Sequence, residues 1–215
     1  MKRTICLILV VALMACALSG CGEKKKLLGR WERSVDLSDA VRQTLQDAGV
    51  GGEYPVSDFV VTAYLEFSQD GTFHLQLDQQ ELTAAFENLL VQLEDHLLKM
   101  LQTQLSERQP ELSMEMLLGM MSLEKEDLTR RLRQSFEENG FSQQLTADTD
   151  LSGSYLVTGK KLSFAADAEH LDKNSYIRFT IRDGQLTLSQ QEGSNLFLEG
   201  NLILGPLPVQ FTKIA

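Results

Sequence analysis

The sequence of 215 residues contains few of the side chains from which catalytic and metal sites are built. All three cysteines, Cys6, Cys16 and Cys21, lie near the amino terminus, and the remainder of the chain has none. Disulfides, thiolate metal sites and cysteine nucleophiles are therefore excluded from the domain that follows.

Histidine is equally scarce, and its spacing argues against a helical metal site. None of His74, His96 and His170 has a second histidine three or four residues away, which a helical pair of metal ligands requires. The chain also lacks the nucleophile-elbow pattern G-x-S-x-G, the dinucleotide-binding pattern G-x-G-x-x-G after a strand, and the phosphate-binding loop. We therefore predict no enzyme activity, no cofactor and no metal.

Basic side chains are in the minority. The chain has 20 Lys and Arg against 30 Asp and Glu, a formal net charge of -10 at pH 7. Binding to nucleic acid phosphates needs clustered basic side chains on one face, so we predict no nucleic-acid partner. The one basic cluster is Lys24 to Lys26. It is either a solvated spacer or a point of attraction to anionic lipid headgroups.

The amino terminus has the parts of a secretory signal. Lys2 and Arg3 precede an apolar run from Ile5 to Ala17, which Leu18, Ser19, Gly20 and Cys21 follow. The run is too short to cross a bilayer as a permanent helix, and its length is that of a signal-peptide core. The four residues that end at Cys21 resemble the lipobox of bacterial lipoproteins.

That resemblance implies cleavage before Cys21 and attachment of a diacyl anchor to its thiol. Residues 1–20 are then a lipoprotein signal peptide and residues 21–28 a lipidated tether. The mature protein is expected on the extracytoplasmic face of a membrane, because two or more acyl chains anchor a protein stably. The alternatives are an ordinary signal peptide with a chance cysteine, or an uncleaved anchor.

Short alternating segments separated by glycine turns predict an antiparallel sheet from residue 28 onward. A first strand begins there, and a last strand is predicted over residues 207–213. Between them lie three predicted hairpins, with strands at residues 59–67 and 73–77, 154–158 and 161–165, and 176–182 and 185–190. Whether residues 195–204 form a strand or a packed loop stays open.

The hydrophobic period changes from 2 to 3.6 between the first and second hairpins, so residues 79–150 are a predicted helical insertion. Leu82, Leu89 and Leu93 lie on one face of a long helix that ends before Pro110. A last helix has Leu128, Leu132 and Phe136 on its apolar face. A shorter helix, capped by Ser38, is predicted in the connection after the first strand.

The β segments resemble the lipocalin-like domains of bacterial lipoproteins. The resemblance rests on the runs G-R-W at residues 29–31, F-S-Q-D-G-T-F at 67–73, G-S-Y at 153–155, G-Q-L-T-L at 184–188 and F-T-K at 211–213. It implies an α+β protein over residues 29–215, an antiparallel up-and-down barrel of about eight strands with the helical insertion between the third and fourth strands. It also implies a closed-end motif in which Trp31, after Gly29, packs under the barrel and Lys213 covers it.

The order of the connections supports this barrel independently. In an up-and-down sheet, alternate connections fall at opposite ends. The three tight turns, at residues 69–70, 159–160 and 183–184, all fall at one end, and the long connections fall at the other.

We expect a binding protein for a hydrophobic or amphipathic small molecule. The partners would then be the membrane, through Cys21, and an apolar ligand in the barrel. The predicted cavity-lining side chains are Phe59, Val61, Leu65, Tyr155, Val157, Phe164, Ile177 and Phe179. A cavity between them would favour this function.

The alternative is a protein-interaction module of the cell envelope with a filled barrel core. The insertion holds a cluster of flexible apolar side chains, which suit adaptable binding surfaces. They are Met114, Met116, Met120 and Met121. These methionines are a candidate lid or partner surface, or the core of the helical segment.

Overall fold

The computed structural model describes residues 22–47, 56–108, 125–138, 149–193 and 201–214, together with residues 116 and 119. These residues form two compact units. Within these described ranges, the first unit consists of residues 22–33, 63–76, 149–193 and 201–214, and the second of residues 34–47, 56–62, 77–108 and 125–138.

The described strands close into an eight-stranded barrel in which each strand pairs with its neighbours in the sequence and β8 returns to pair with β1. The strands are β1 Gly29–Asp36, β2 Val60–Phe67, β3 Thr72–Leu77, β4 Leu151–Thr158, β5 Lys161–Ala165, β6 Tyr176–Arg182, β7 Gln185–Glu192 and β8 Val209–Lys213. The predicted antiparallel up-and-down barrel is confirmed, as is the helical insertion between its third and fourth strands.

Four helices accompany the strands in the described parts of the chain. They are α1 over residues 22–27, α2 Ser38–Asp47, α3 Gln79–Arg108 and α4 Lys125–Glu138. The predicted long helix is α3, and the predicted last helix of the insertion is α4. None of these helices is apolar over the length that a bilayer crossing would need.

Three strand boundaries differ from the predicted ones by two or three residues, and strand pairing explains each. β4 begins at Leu151, before the predicted start, because that residue pairs with β3. β7 continues to Glu192 because that residue pairs with β6, and β8 begins only at Val209, opposite Leu188 of β7. Residues 202–204 form a turn with Ile203 and Leu204 buried, whereas residues 194–200 lie outside the described part.

Ser38 does not cap α2 as predicted. Its Oγ accepts a hydrogen bond from the backbone N–H of Phe59 at 3.0 Å, and its own N–H donates to Asp36 Oδ1 at 2.9 Å. The hydrogen bonds from Ser38 hold the pKa of Asp36 below its usual value. The hydroxyl is drawn away from the helix because Leu37 N–H also bonds to Phe59 O, at 2.9 Å, which brings the two segments together.

The core of the first unit consists of side chains from alternate strand positions, which point inward. An aromatic cluster of Phe67, Phe73, Tyr155 and Phe164 borders the β2–β3 turn at the end of the tight turns. Its ring centroids are 4.9 Å apart for Phe67 and Tyr155 and 4.7 Å for Phe73 and Phe164, both in edge-to-face geometry. Such pairs stabilise a core beyond the area they bury.

The second unit has its own core between α2, α3, α4 and the backbone of residues 34–62. Its buried side chains include Val35, Leu37, Val41, Leu45, Val56, Phe59, Val61, Leu82, Leu89, Leu90 and Leu93. The rings of Phe86 on α3 and Phe136 on α4 are 5.6 Å apart. Beside them the Arg133 guanidinium binds both carboxylate oxygens of Glu87, which lowers the pKa of that carboxyl.

We predict that Gly193→Ala destabilises the protein more than Gly159→Ala does. Both glycines have positive φ, which costs an alanine about 1–2 kcal/mol. A Cβ at Gly193 would also lie 2.7 Å from Asn174 O, whereas at Gly159 it would meet nothing within 4 Å. Overpacking adds about 1–3 kcal/mol at Gly193 only. The measurement is the free energy of unfolding in urea, and an equal decrease for the two variants would contradict this expectation.

Candidate functional site

Trp31 lies in the seam that closes the barrel. In the β1–β8 pairing it is opposite Lys213, and its side chain is 0% exposed. The indole Nε1 donates to Leu27 O at 2.7 Å, so α1 supplies the polar partner that a buried indole needs. The Lys213 Nζ lies 5.0 Å from the centre of the ring and donates to Lys26 O at 3.1 Å.

Gly29 is the first residue of β1, where the chain enters the β1–β8 pairing. It has a φ of 103°, a conformation that side-chain-bearing residues rarely adopt. A Cβ there would lie 3.7 Å from Lys213 Cε, an ordinary contact distance. The requirement for glycine therefore comes from the backbone angle and not from crowding.

Most of the predicted cavity-lining side chains are almost fully buried. Leu65, Tyr155, Phe164, Ile177 and Phe179 are buried in the first unit, where Val157 is partly exposed. Phe59 and Val61 belong to the second unit and are buried there. The inner side chains of the first unit around the aromatic cluster are close-packed.

Arg33 is a charged residue on the inner face of the first unit, where most side chains are apolar. It follows Trp31 by two residues in β1, so its side chain points to the same face of the strand. The residue is partly buried, and its Nη1 is a buried nitrogen with no hydrogen-bond partner among the described residues. The guanidinium carbon lies 5.7 Å from the centre of the Phe211 ring.

Burial also acts on the charge of Arg33. It lowers the pKa of the guanidinium, because the charged form loses solvation. Arginine nevertheless stays protonated at neutral pH. The inner face of the first unit therefore carries a positive charge that no described carboxylate pairs with.

Arg33 is not among the predicted site residues, although the sequence carries a signal for it. Trp31, Arg33 and Val35 alternate with Glu32 and Ser34 in β1. A strand that points Trp31 inward also points Arg33 inward, since successive side chains alternate between faces. The predicted inward-facing residues were apolar, and Arg33 is charged.

Little of the candidate methionine surface falls within the described residues. Met116 is exposed over 61% of its surface, and on α3 the side chain of Val91 is exposed over 55%. Met114, Met120 and Met121 lie outside the described residues, as do Cys21 and residues 1–20.

Two of the three histidines lie beside carboxylates. His74 Nε2 lies 2.8 Å from Asp150 Oδ1, and His170 Nδ1 lies 2.7 Å from Asp167 Oδ1, both on the surface. Within the described ranges, no three His, Cys, Asp or Glu side chains converge where a metal ion could be held.

Comparisons of the chain with models of protein families, with curated proteins and with solved structures find no match.

We predict that Trp31→Ala destabilises the protein by about 3–5 kcal/mol, because it removes a fully buried aromatic side chain and leaves a cavity. Trp31→Phe is the control, since it keeps a ring in the seam and loses the hydrogen bond to Leu27 O. The free energy of unfolding of Trp31→Phe should lie between those of Trp31→Ala and wild type. Both are measured by denaturant unfolding, and an alanine variant as stable as wild type would be the contrary result.

Tyr155 offers a prediction on pH. Its hydroxyl donates to Ser68 O at 2.8 Å, and burial, followed by the charge of Asp70, raises its pKa to about 12. The neutral phenol therefore stabilises the folded state below pH 10, and this contribution is lost as pH rises from about 10 to 12. The free energy of unfolding should fall more steeply there in wild type than in Tyr155→Phe. An equal decrease in the free energy of unfolding between pH 10 and 12 for the two proteins would contradict this prediction.

Proposed function

We propose that the protein is lipid-anchored on the extracytoplasmic side of a membrane and that its lipocalin-like barrel binds a hydrophobic or amphipathic small molecule. The observation that carries the binding proposal is Arg33, a charged side chain on a mostly apolar inner face, with a buried nitrogen that no described residue satisfies.

An unpaired cation among apolar side chains is costly. Arg33 is partly buried, and a buried nitrogen without a hydrogen bond costs about 1–3 kcal/mol, so such nitrogens ordinarily have a partner. A molecule with one polar group and an apolar body would satisfy Arg33 and at the same time contact its neighbours. The site therefore suits an amphipathic ligand better than a purely polar one.

The anchoring proposal rests on the sequence up to Cys21 and is supported by α1. The six residues 22–27 are helical, and a helix rises by about 1.5 Å per residue, so the tether reaches less far than an extended chain. α1 is also bound to the end of the tight turns, where Lys24 Nζ donates to Gln69 O at 3.2 Å. A lipid on Cys21 would hold that end close to the membrane.

The charge of the tight-turn end agrees with this orientation. The chain as a whole is acidic, with a net charge of -10. At this end, eight basic side chains outnumber the four acidic ones, Glu23, Glu66, Asp70 and Asp183. The basic side chains of α1, the tight turns and the adjoining strand ends are Lys24, Lys25, Lys26, Arg30, Lys160, Lys161, Arg182 and Lys213. Such a cluster is attracted to anionic lipid headgroups.

A second candidate function is a protein-interaction module of the cell envelope. The close packing of the aromatic cluster favours it, since a filled core at this level of the barrel leaves no room for a ligand there. The exposed Val91 and Met116 are apolar side chains that such a partner could cover.

Native mass spectrometry of the protein purified from its own host in a mild detergent separates the two functions. The binding proposal expects a co-purified small molecule in equal stoichiometry with the protein, released by competition with an apolar dye. A bare protein that also fails to bind the dye would reject small-molecule binding. In that case the interaction module becomes the better account.

Cys21→Ser should move the protein from the membrane fraction to a soluble or unprocessed form, because it removes the proposed acylation site. Cys16→Ser is the matched control and should leave anchoring unchanged, since that cysteine lies inside the proposed signal peptide. Cell fractionation and incorporation of labelled fatty acid are the measurements. Wild-type labelling of the Cys21→Ser chain would disprove the lipoprotein proposal.

A further inference from the structure

The unpaired nitrogen of Arg33 identifies the chemistry of the group that should face it. A guanidinium has five N–H donors in a rigid planar fork and no acceptor. Its preferred partner is an oxyanion, and a carboxylate can accept two parallel hydrogen bonds from the fork. A neutral hydroxyl would leave the charge uncompensated.

The contact with Phe211 does not replace such a partner. Cation–π attraction acts within about 6 Å of a ring centre, and the 5.7 Å between the Arg33 guanidinium carbon and the Phe211 ring is close to that limit. The ring therefore flanks the guanidinium and leaves its buried Nη1 without a hydrogen-bond partner among the described residues.

The number of positive charges limits the charge of the ligand. Lys213 is the other cation on the inner face of the described first-unit strands, and its amine is already occupied by Lys26 O and the Trp31 ring. Arg33 alone balances one negative charge. A carboxylate carries a single charge, whereas a phosphate monoester carries between about 1.5 and 2 at neutral pH.

The aromatic cluster limits how the ligand can lie. Trp31 is fully buried, and the rings of Phe67 and Tyr155 and those of Phe73 and Phe164 pack in edge-to-face pairs in the first unit. The apolar part of a bound molecule cannot occupy the space of these rings.

From these observations we infer that Arg33 binds the carboxylate of an amphipathic monoanion. This inference rests on the proposed binding of a small molecule and specifies the class of that molecule.

The test compares probes that share one apolar chain and differ in the head group. They are dodecanoate, dodecanol, dodecylamine and dodecyl phosphate, titrated into the full-length protein as its host produces it, in a non-ionic detergent at fixed concentration. Three variants are measured beside wild type. Arg33→Met removes the charge at similar length, Arg33→Lys keeps the charge without the planar fork, and Arg131→Met makes the same change at an exposed arginine of α4.

Wild type should bind dodecanoate at least about tenfold more tightly than dodecanol, because hydrogen bonds to a charged group are stronger than neutral ones. Dodecyl phosphate should bind less tightly than dodecanoate, and dodecylamine least tightly. Arg33→Met should abolish the preference for the anion, Arg33→Lys should retain it at lower affinity, and Arg131→Met should behave as wild type does.

Two contrary results are distinguishable. Equal binding of dodecanol and dodecanoate by wild type, unchanged in Arg33→Met, would overturn the role of Arg33 and leave small-molecule binding intact. Failure of all four probes to bind would overturn the proposed function and this inference together. Tighter binding of dodecyl phosphate than of dodecanoate would replace the carboxylate by a phosphate as the ligand group.

Unfolding of the ligand-free protein provides a measurement that does not depend on the probes. If Arg33 has no partner until an anion binds, Arg33→Met removes an unpaired cation from the ligand-free protein. The Tm of the ligand-free variant should then be higher than that of wild type, because apolar replacement of buried charges often stabilises a protein. Dodecanoate should then raise the Tm of wild type and not that of the variant. A lower Tm for ligand-free Arg33→Met would show that Arg33 has a structural role and would overturn the inference.

Discussion

The pairing of β1 with β8 is the constraint on which the rest of the barrel depends. An open sheet has two edges with unpaired backbone groups, and closure removes both. Trp31 opposite Lys213 sets the register, and Ile214 N–H donates to Arg30 O at 3.0 Å just beyond it. Because the indole is buried in this seam, it needs a polar partner, which α1 supplies at Leu27 O. The segment before the barrel is therefore part of the closure.

The polar groups on the inner face of the first unit differ in whether they have a hydrogen-bond partner. The indole of Trp31, the amine of Lys213 and the hydroxyl of Tyr155 all have partners within that unit. Arg33 alone has a buried nitrogen without one among the described residues. Natural proteins depart from such rules of consistency mostly at functional sites. This contrast is why the proposed ligand is placed at Arg33 and not among the aromatic side chains.

The second unit depends on backbone hydrogen bonds that helix periodicity does not reveal. Gln92 on α3 accepts from Ser57 N–H at 3.1 Å and donates to Ser57 O at 3.0 Å. Asp78, which accepts from the N–H groups of Gln80 and Glu81, caps α3, and its own N–H donates to Thr62 O at 2.7 Å. The helical insertion therefore shares a core and polar contacts with residues 34–62, although the sequence shows it as a separate block.

The sequence by itself determined which segments are strands and helices and that the strands form an up-and-down barrel. The alternation of residues 59–67 and the 3.6-residue period after Gln79 are local properties, and the alternation of tight and long connections defines the topology. Only the tertiary structure decided the start of β4 at Leu151, the partner of Ser38 and the isolation of Arg33. Each of these depends on which distant residues meet. Strand ends follow the pairing partner, the Ser38 hydroxyl follows Phe59, and whether a buried charge has a counter-ion depends on every strand around it.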